Sequence, residues 1–447
     1  MMLGWCIGIA ATLLALLIYL AYFFKFNWVK DMRNEGKMQK IDGVYVGSKS
    51  RKIGKLPPVY PNGWFVLLES SQLKRGQVKH VSALGENFAV FRTERGVVNV
   101  LDAYCPHLGA NMGEGGRVRG ECLECPFHSW TFRGDGFCDS IPYTEKVPHI
   151  ARVKSWKCCE VNHLIFVWYH AESAEPDWQP QPHTYISSGA WRFQGRNEFL
   201  VSCHIQDVAE NGADLAHLSA VHGPAMFFSD NVSWLARHSW TNAVWRPYCP
   251  YSSETEDETM NKTNTEATEV RVKLNGASSV EPISNGHVVD HVEGHATATT
   301  ENVVGRREKY KASMQMRHSL VLLERFTLLG MRVSVEQIGP GYVELLIDTS
   351  FGSMYILQTV TPIEPLLQRV THQIFSPALL APYAKLIFLG ECLMFERDIA
   401  IWTHKKFERQ PTLVREDRAI LAYRRWYSQF YSAHSPTYQM ATKNLLW

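Results

Sequence analysis

Two Cys and two His stand in paired stretches, Cys105-Pro106-His107-Leu108-Gly109 and Cys125-Pro126-Phe127-His128-Ser129-Trp130. Written as ligands, they read Cys-x-His, seventeen intervening residues, then Cys-x-x-His. Such a quartet can hold a structural zinc ion, or a [2Fe–2S] cluster in which two imidazoles replace two thiolates on one iron. Each pair mixes one Cys with one His. One iron can therefore take both sulfurs, Cys105 and Cys125, and the other both imidazoles, His107 and His128. A Pro follows each Cys, and Gly109, Gly113, Gly115 and Gly116 crowd the first loop, where backbone N–H groups must approach the sulfides closely. Nothing matches the helical His-containing half of a zinc finger. The cluster is the better reading and a zinc ribbon the poorer one.

A second constellation lies in Asn211-Gly212-Ala213-Asp214-Leu215-Ala216-His217-Leu218-Ser219-Ala220-Val221-His222-Gly223, which contains Asp-x-x-His-x₄-His. Two neutral imidazoles and a carboxylate on one face of Fe(II) leave positions open for dioxygen and substrate. Five residues on an ideal helix turn through roughly 140°. His217 and His222 therefore cannot face one ion from a straight helix, which must bend or end between them. Gly223-Pro224 is a suitable stop. Alone, two such His would more often be core or surface residues.

The cluster loops resemble the Rieske domains of the Rieske non-haem iron oxygenases. Rieske proteins of cytochrome complexes carry an extra Cys in each loop, where Ala110 and Phe127 stand here. The Asp-x-x-His-x₄-His pattern is the one the oxygenase family uses. Leu101–Asn111, the Cys125–His128 loop, Ile141-Pro142-Tyr143 and Glu396–Trp402 are similar to the animal cholesterol 7-desaturases, the Neverland family. The likeness runs from about Gly63 to Phe407, apart from the polar segment 250–304. It implies that His217, His222 and a distant carboxylate hold Fe(II). Asp398 is the best candidate, with Glu396 and then Glu391 behind it; an exposed acidic helix face is the competing reading. It implies that Asp214 bridges a cluster His of a neighbouring subunit to an iron His, by a path His128 to Asp214 to His217, with Asn211 near the iron. It also implies a homo-oligomer, a trimer being one form, and a separate NAD(P)H-dependent reductase. The implied activity is dioxygen-dependent conversion of cholesterol to 7-dehydrocholesterol, feeding steroid hormone synthesis. Hydroxylation of a sterol or other apolar substrate is an alternative. So is a membrane-tethered Rieske electron carrier without oxygenase activity.

The surrounding elements must place these groups. The chain has 447 residues, enough for two or three domains. A net charge of +2, with no basic–aromatic stripe, gives no sign of nucleic acid. The ten Cys form no secreted disulfide framework. Leu3 to Phe24 is apolar and uncharged, about the ~20 residues that cross a bilayer. Lys25, Lys30, Arg33, Lys37 and Lys40 follow it, which predicts a single-pass anchor with the body in the cytosol, the endoplasmic reticulum being the expected membrane.

The expected organisation is an anchor over 1–25, a linker over 26–62, a Rieske domain over 63–172 and a catalytic iron domain over 183–447. Residues 250–304, rich in Ser, Thr, Glu and Asn, read as a polar, partly disordered insertion. Its His287, His291 and His295 read as solvated loop. Short alternating runs at 64–68, 88–92, 97–101, 131–132 and 164–168 predict a small antiparallel β domain with the cluster at two loop tips. Runs at 319–323, 331–335, 342–347 and 355–362, followed by a helical stretch over 377–407, predict the other half. The expected class is α+β: an antiparallel sheet enclosing a cavity and closed by helices, similar to the helix-grip (START-like) domain of the family.

Overall fold

The computed structural model describes residues 2–33, 39–41, 44–46, 52–225, 234–248 and 308–445. The insertion at 250–304, with its three His, lies outside the described residues.

Met2–Ile18 is an α-helix continued by a wider π turn, Tyr19–Phe23. Every residue from Ile9 to Leu20 is exposed, although nearly all of them are apolar. Its C-terminal end is tied down where the Lys385 ammonium donates to the Leu20 and Ala21 carbonyls, at 3.1 and 2.6 Å.

Three small antiparallel sheets form the cluster-bearing part. One joins the strands Ser155–Trp156, Val98–Asp102, Glu86–Arg92 and Val78–Ala83. A second joins Cys158–Val161, Leu164–Tyr169 and Gly63–Glu69. The third is built from three-residue strands, Arg117–Arg119, Cys122–Glu124, Thr131–Arg133 and Cys138–Ser140, and carries the Cys125 loop between its middle pair. The predicted strand runs coincide with these elements, except that Val97 precedes its strand by one residue. Leu164–Tyr169 is buried on both faces, which is why it reads as an unbroken apolar run.

The iron-site half is an eight-stranded sheet with helices against it. Its order is Phe26–Asp31, Arg192–Val201, Leu367–Ser376, Gly352–Glu364, Tyr342–Thr349, Phe326–Ile338, Lys311–Leu322, Ala236–Pro247. The sheet is mixed, not purely antiparallel as expected. The edge strand Phe26–Asp31 runs parallel to Arg192–Val201, and those residues sit in a strand where the sequence reading has a linker. The whole cluster-bearing part serves as the crossover between the two, and so long a connection allows parallel pairing. The backbones approach closely at Gly195, where an added Cβ would lie 2.5 Å from Phe26 Cβ. The long helix Ala381–Trp402 packs across the sheet through Phe388, Cys392, Phe395 and Ile399. It is apolar enough to cross a membrane by length and composition, but this packing and its buried Asp398 make it a core helix.

The two parts share one core. Phe65, Phe88 and Ile165 belong to the same apolar cluster as Val360, Val370, Ile374 and Phe388. Polar ties cross the same seam. Thr361 Oγ1 donates to the Val66 carbonyl at 2.8 Å, and half-buried Arg369 donates to the Val66 and Leu67 carbonyls at 3.1 and 2.8 Å.

Candidate metal centres and substrate cavity

The two cluster loops have one backbone shape. In the first, Cys105 N donates to Ala110 O and Gly109 N to Cys105 O, both at 2.9 Å. In the second, Cys125 N donates to Trp130 O at 2.8 Å and Ser129 N to Cys125 O at 3.2 Å. The equivalent fifth residue of each loop is left-handed, Gly109 at φ +74° and Ser129 at φ +57°. The spacing differs by one residue between Cys-x-His and Cys-x-x-His, yet both loops close alike and present a buried Cys beside a half-buried His. Two glycines of the first loop, Gly113 and Gly116, answer to protein packing, whereas a Cβ on Gly109 would meet nothing within 4 Å. A Cβ on Gly113 would lie 2.7 Å from His80 Cα, and one on Gly116 2.1 Å from the Met112 carbonyl oxygen.

The His107 and His128 ring centroids are 4.7 Å apart, and His107 stacks on Trp130 at 4.6 Å. Trp130 Nε1 donates to the Tyr143 hydroxyl at 2.7 Å, which holds the indole against the imidazole. Burial, with the Cys125 thiol beside it, pushes the Cys105 thiol up to about 12. Thiolates in such a place need a metal's charge, so the donors suit a cluster with sulfurs on one iron and imidazoles on the other.

The second centre forms where a short helix ends. Asp214 caps the helix Leu215–Val221, its Oδ1 accepting from His217 N at 3.3 Å. His217 Nδ1 also bonds the Asp214 carbonyl, which leaves Nε2 for a metal. The helix stops at Val221, so His222 leaves the helical path and the two rings come within 5.2 Å at 79°. His222 Nε2 lies 3.2 Å from Asp398 Oδ1, and one donor atom from each of His217, His222 and Asp398 fits within 4.8 Å of the others. This is a facial set for one ion, and Fe(II) suits it.

The runner-up carboxylates go elsewhere. Glu396, two residues before Asp398, faces away on the helix and accepts from Trp28 Nε1 at 2.8 Å and pairs with Lys30 at 2.7 Å. Glu391 shares the Asp398 face but stands 4.0 Å from His372 Nε2. Burial, with the Asp398 charge adding to it, pushes Glu391 up to about 7. Asn211 lines the small cavity beside His217, His222 and Asp398. His128 and Asp214 share no hydrogen bond within the chain, among the described residues.

Clamps that give no spacing signal hold this centre. Arg397 Nη1 donates to the Pro224 carbonyl at 2.8 Å and the Val221 carbonyl at 3.5 Å, fixing the helix end that carries His222. Arg424 grips Glu210, next to Asn211, through Nε at 2.6 Å and Nη2 at 2.9 Å. These residues come from distant segments and follow no motif.

A cavity of about 780 Å³ lies between the sheet and the long helix, with an almost wholly apolar lining. A smaller one, of about 160 Å³, holds His217, His222 and Asp398. Trp240, Met316, Leu345, Glu391 and Met394 line both and mark their junction. In the wall of the larger cavity His238 Nδ1 and His318 Nε2 are 2.7 Å apart. Burial pushes them down to about 4 and about 3, so both rings are neutral at pH 7.

Together the paired loops, the facial triad and the mixed sheet define a Rieske oxygenase. Residues 63–156 match the Rieske [2Fe-2S] domain, and 167–431 match the 3-ketosteroid 9alpha-hydroxylase C-terminal domain. The fold is similar to Pseudomonas putida CBB5 NdmA with caffeine, with a TM-score of 0.56 at 16% identity, over 86% of this chain and 94% of that one. In sequence the chain is 39% identical to cholesterol 7-desaturase nvd 1 of Ciona intestinalis, over 96% of this chain and 84% of that protein. It is also 39% identical to cholesterol 7-desaturase nvd of Drosophila melanogaster, over 96% of this chain and 92% of that protein. The chain is an oxidoreductase and belongs to the cholesterol 7-desaturase family.

Proposed function

We propose that the chain converts cholesterol to 7-dehydrocholesterol. The observation that carries this reading is the His217, His222 and Asp398 triad beside an apolar cavity of about 780 Å³. In this reading Cys105, Cys125, His107 and His128 hold the [2Fe–2S] cluster, and the triad holds the single iron. The metals, when bound, supply the redox chemistry: sterol, dioxygen, two electrons and two protons give the diene and two waters.

The protein's own part is to position and to exclude. The His217 Nδ1 contact to the Asp214 carbonyl fixes the ring that faces the metal. Apolar walls keep water from the reacting carbons, and substrate pose decides between loss of a second hydrogen and capture of a hydroxyl. Electrons come singly from a separate NAD(P)H-dependent reductase, since the chain has no convincing nucleotide-binding fingerprint. Asp214, with the exposed rim of Leu108, Phe127 and Tyr143 around the cluster, suits a relay across a subunit interface in a homo-oligomer, a trimer among the forms.

A membrane position follows from the same substrate. In this reading the N-terminal helix serves as the anchor, and Lys25, Lys30 and Arg33 after it favour a cytosolic body at the endoplasmic reticulum. Leu323, Phe326 and Leu328, about half exposed at the Lys311–Ile338 hairpin tip, line the larger cavity and suit a mouth that opens towards lipid. The test is the purified enzyme with cholesterol, a surrogate reductase and dioxygen, and His217→Ala as control. A product lacking two hydrogens supports desaturation. A product with one added oxygen makes the enzyme a hydroxylase, and unchanged turnover by His217→Ala refutes the site.

A further inference from the structure

One row of the eight-stranded sheet carries polar side chains on the face turned to the helices. Across neighbouring strands Gln337, Val343, Gln358, His372 and Asn197 stand directly opposite one another, so they share that face. The first three line the small cavity that holds His217, His222 and Asp398. Most of the row's polar groups are engaged. Gln337 Nε2 reaches the Gly339 carbonyl at 3.4 Å. Asn197 Oδ1 accepts from His372 N at 3.0 Å and bonds His372 Nδ1 at 2.8 Å, while Asn197 Nδ2 donates to Cys392 Sγ at 3.2 Å. A backbone N–H can only donate, so His372 N fixes which end of the Asn197 amide is oxygen. His372 must then carry its proton on Nδ1, and its Nε2 is an acceptor.

Gln358 is the exception. It is half-buried, it lines the small cavity, and its side-chain amide makes no hydrogen bond among the described residues. Its neighbours in the row cannot supply one. Val343 has no polar side-chain atom. His372 has its Nδ1 committed to Asn197, and its Nε2 is enclosed, with a Glu391 oxygen 4.0 Å away. Polar groups inside a fold almost always find a partner. An amide left open on the wall of an internal cavity points to a guest that supplies one. It offers Nε2 as a donor and Oε1 as an acceptor. A hydroxyl can accept from the first or donate to the second, so it is served whichever way the amide is turned. A ketone can only accept from Nε2. A sulfate would meet the Asp398 and Glu391 carboxyls in the same cavity.

The sizes of the two cavities agree with this chemistry. The small one, about 160 Å³, is below the roughly 300 Å³ at which pockets for whole small molecules begin, so it admits one end of a guest. The larger one, about 780 Å³ and almost wholly apolar, suits hydrocarbon rings and a tail. In cholesterol the carbon bearing the hydroxyl is only four ring bonds from C7. A hydroxyl on Gln358 therefore keeps C7 in the cavity of the triad. The tail then runs out past Trp240 and Glu391, which line both cavities, towards the apolar mouth at Leu323 and Phe326.

We infer that Gln358 binds the 3-hydroxyl of the sterol and so sets which end of the molecule enters the iron cavity. This rests on the reading of the cavities as a sterol site. The test is binding to the full-length, metal-loaded protein in detergent, by competition against labelled cholesterol. The probes are cholesterol, its 3-ketone, its 3-deoxy analogue and its 3-sulfate. The wild type is expected to bind cholesterol and the ketone within a few-fold of each other, and the deoxy and sulfate forms at least about tenfold more weakly. In Gln358→Met, which keeps the length and loses the amide, the preference for cholesterol over the deoxy form falls to near one. Gln358→Asn, which keeps the amide on a shorter stem, retains part of it. Preference unchanged in Gln358→Met, with iron content and cluster spectrum intact, overturns the proposal. The wild-type ratio decides without any variant: equal binding of cholesterol and the deoxy form means that the amide is served by water alone, which overturns the proposal and leaves the desaturase reading standing. A wild type that binds no sterol removes both.

Discussion

In the proposed reading the cluster loops and the His217, His222 and Asp398 triad place metals by opposite means. The four cluster donors come from one stretch, Cys105 to His128, and each loop is closed by its own backbone hydrogen bonds. The triad draws two donors from the end of a short helix and the third from a helix far along the chain. Its geometry depends on contacts that are not local, such as Arg397 on the Pro224 carbonyl. A locally closed site is robust to distant change, whereas an assembled site inherits every fault in the packing around it.

The largest effects should come from the donors themselves. Asp398→Ala should abolish turnover and lose the single iron while the visible spectrum of the cluster persists; Cys105→Ser should do the reverse. Loss of both metals in either variant would show that the sites are not independent. Next is the pair under the triad. Arg424→Ala leaves Glu210 poorly compensated in a mostly buried place, which should cost about 3 kcal/mol in a denaturant titration. Arg397→Ala should weaken iron binding roughly 10- to 100-fold, as loss of a supporting contact commonly does, with the cluster untouched.

A pH series sharpens the contrast further. In the unfolded chain Glu391 ionises near 4.5, but in the folded metal-free protein it holds its proton up to about 7. Its contribution is complete below 4.5 and is lost as pH rises through about 7, because the unfolded chain releases the proton first. Denaturation midpoints of the metal-free protein should fall across that window, and Glu391→Gln should flatten the trend. The smallest effect is expected from Glu396→Gln: about 1 kcal/mol of stability from weakened contacts to Trp28 and Lys30, with iron content unchanged. Loss of iron in that variant would move the third ligand from Asp398 to Glu396.

What the sequence makes legible follows the same division. The cluster donors can be read from spacing because their loops are local, and the strand runs around them show because alternation is local too. The break after Val221 is also legible, since five-residue spacing forbids a straight helix. Asp398 and Glu396 are both acidic and two residues apart, and only the packing of Trp28 and Lys30 against one helix face separates them. The strand Phe26–Asp31 hides behind the apolar segment before it, and exposed Val29 blurs the polar alternation that half-buried Phe26, Trp28 and Lys30 would otherwise show. His238 and His318 sit far apart in the chain and meet only through strand register. Arg424 and Glu210 are likewise joined only by tertiary folding.

The most direct test of the two-centre account is a count of iron and acid-labile sulfide per chain in fully loaded protein, wild type beside Asp398→Ala. The account predicts three irons and two sulfides in the wild type, and two irons and two sulfides in the variant. Zinc in either place, or equal iron in both proteins, would contradict it.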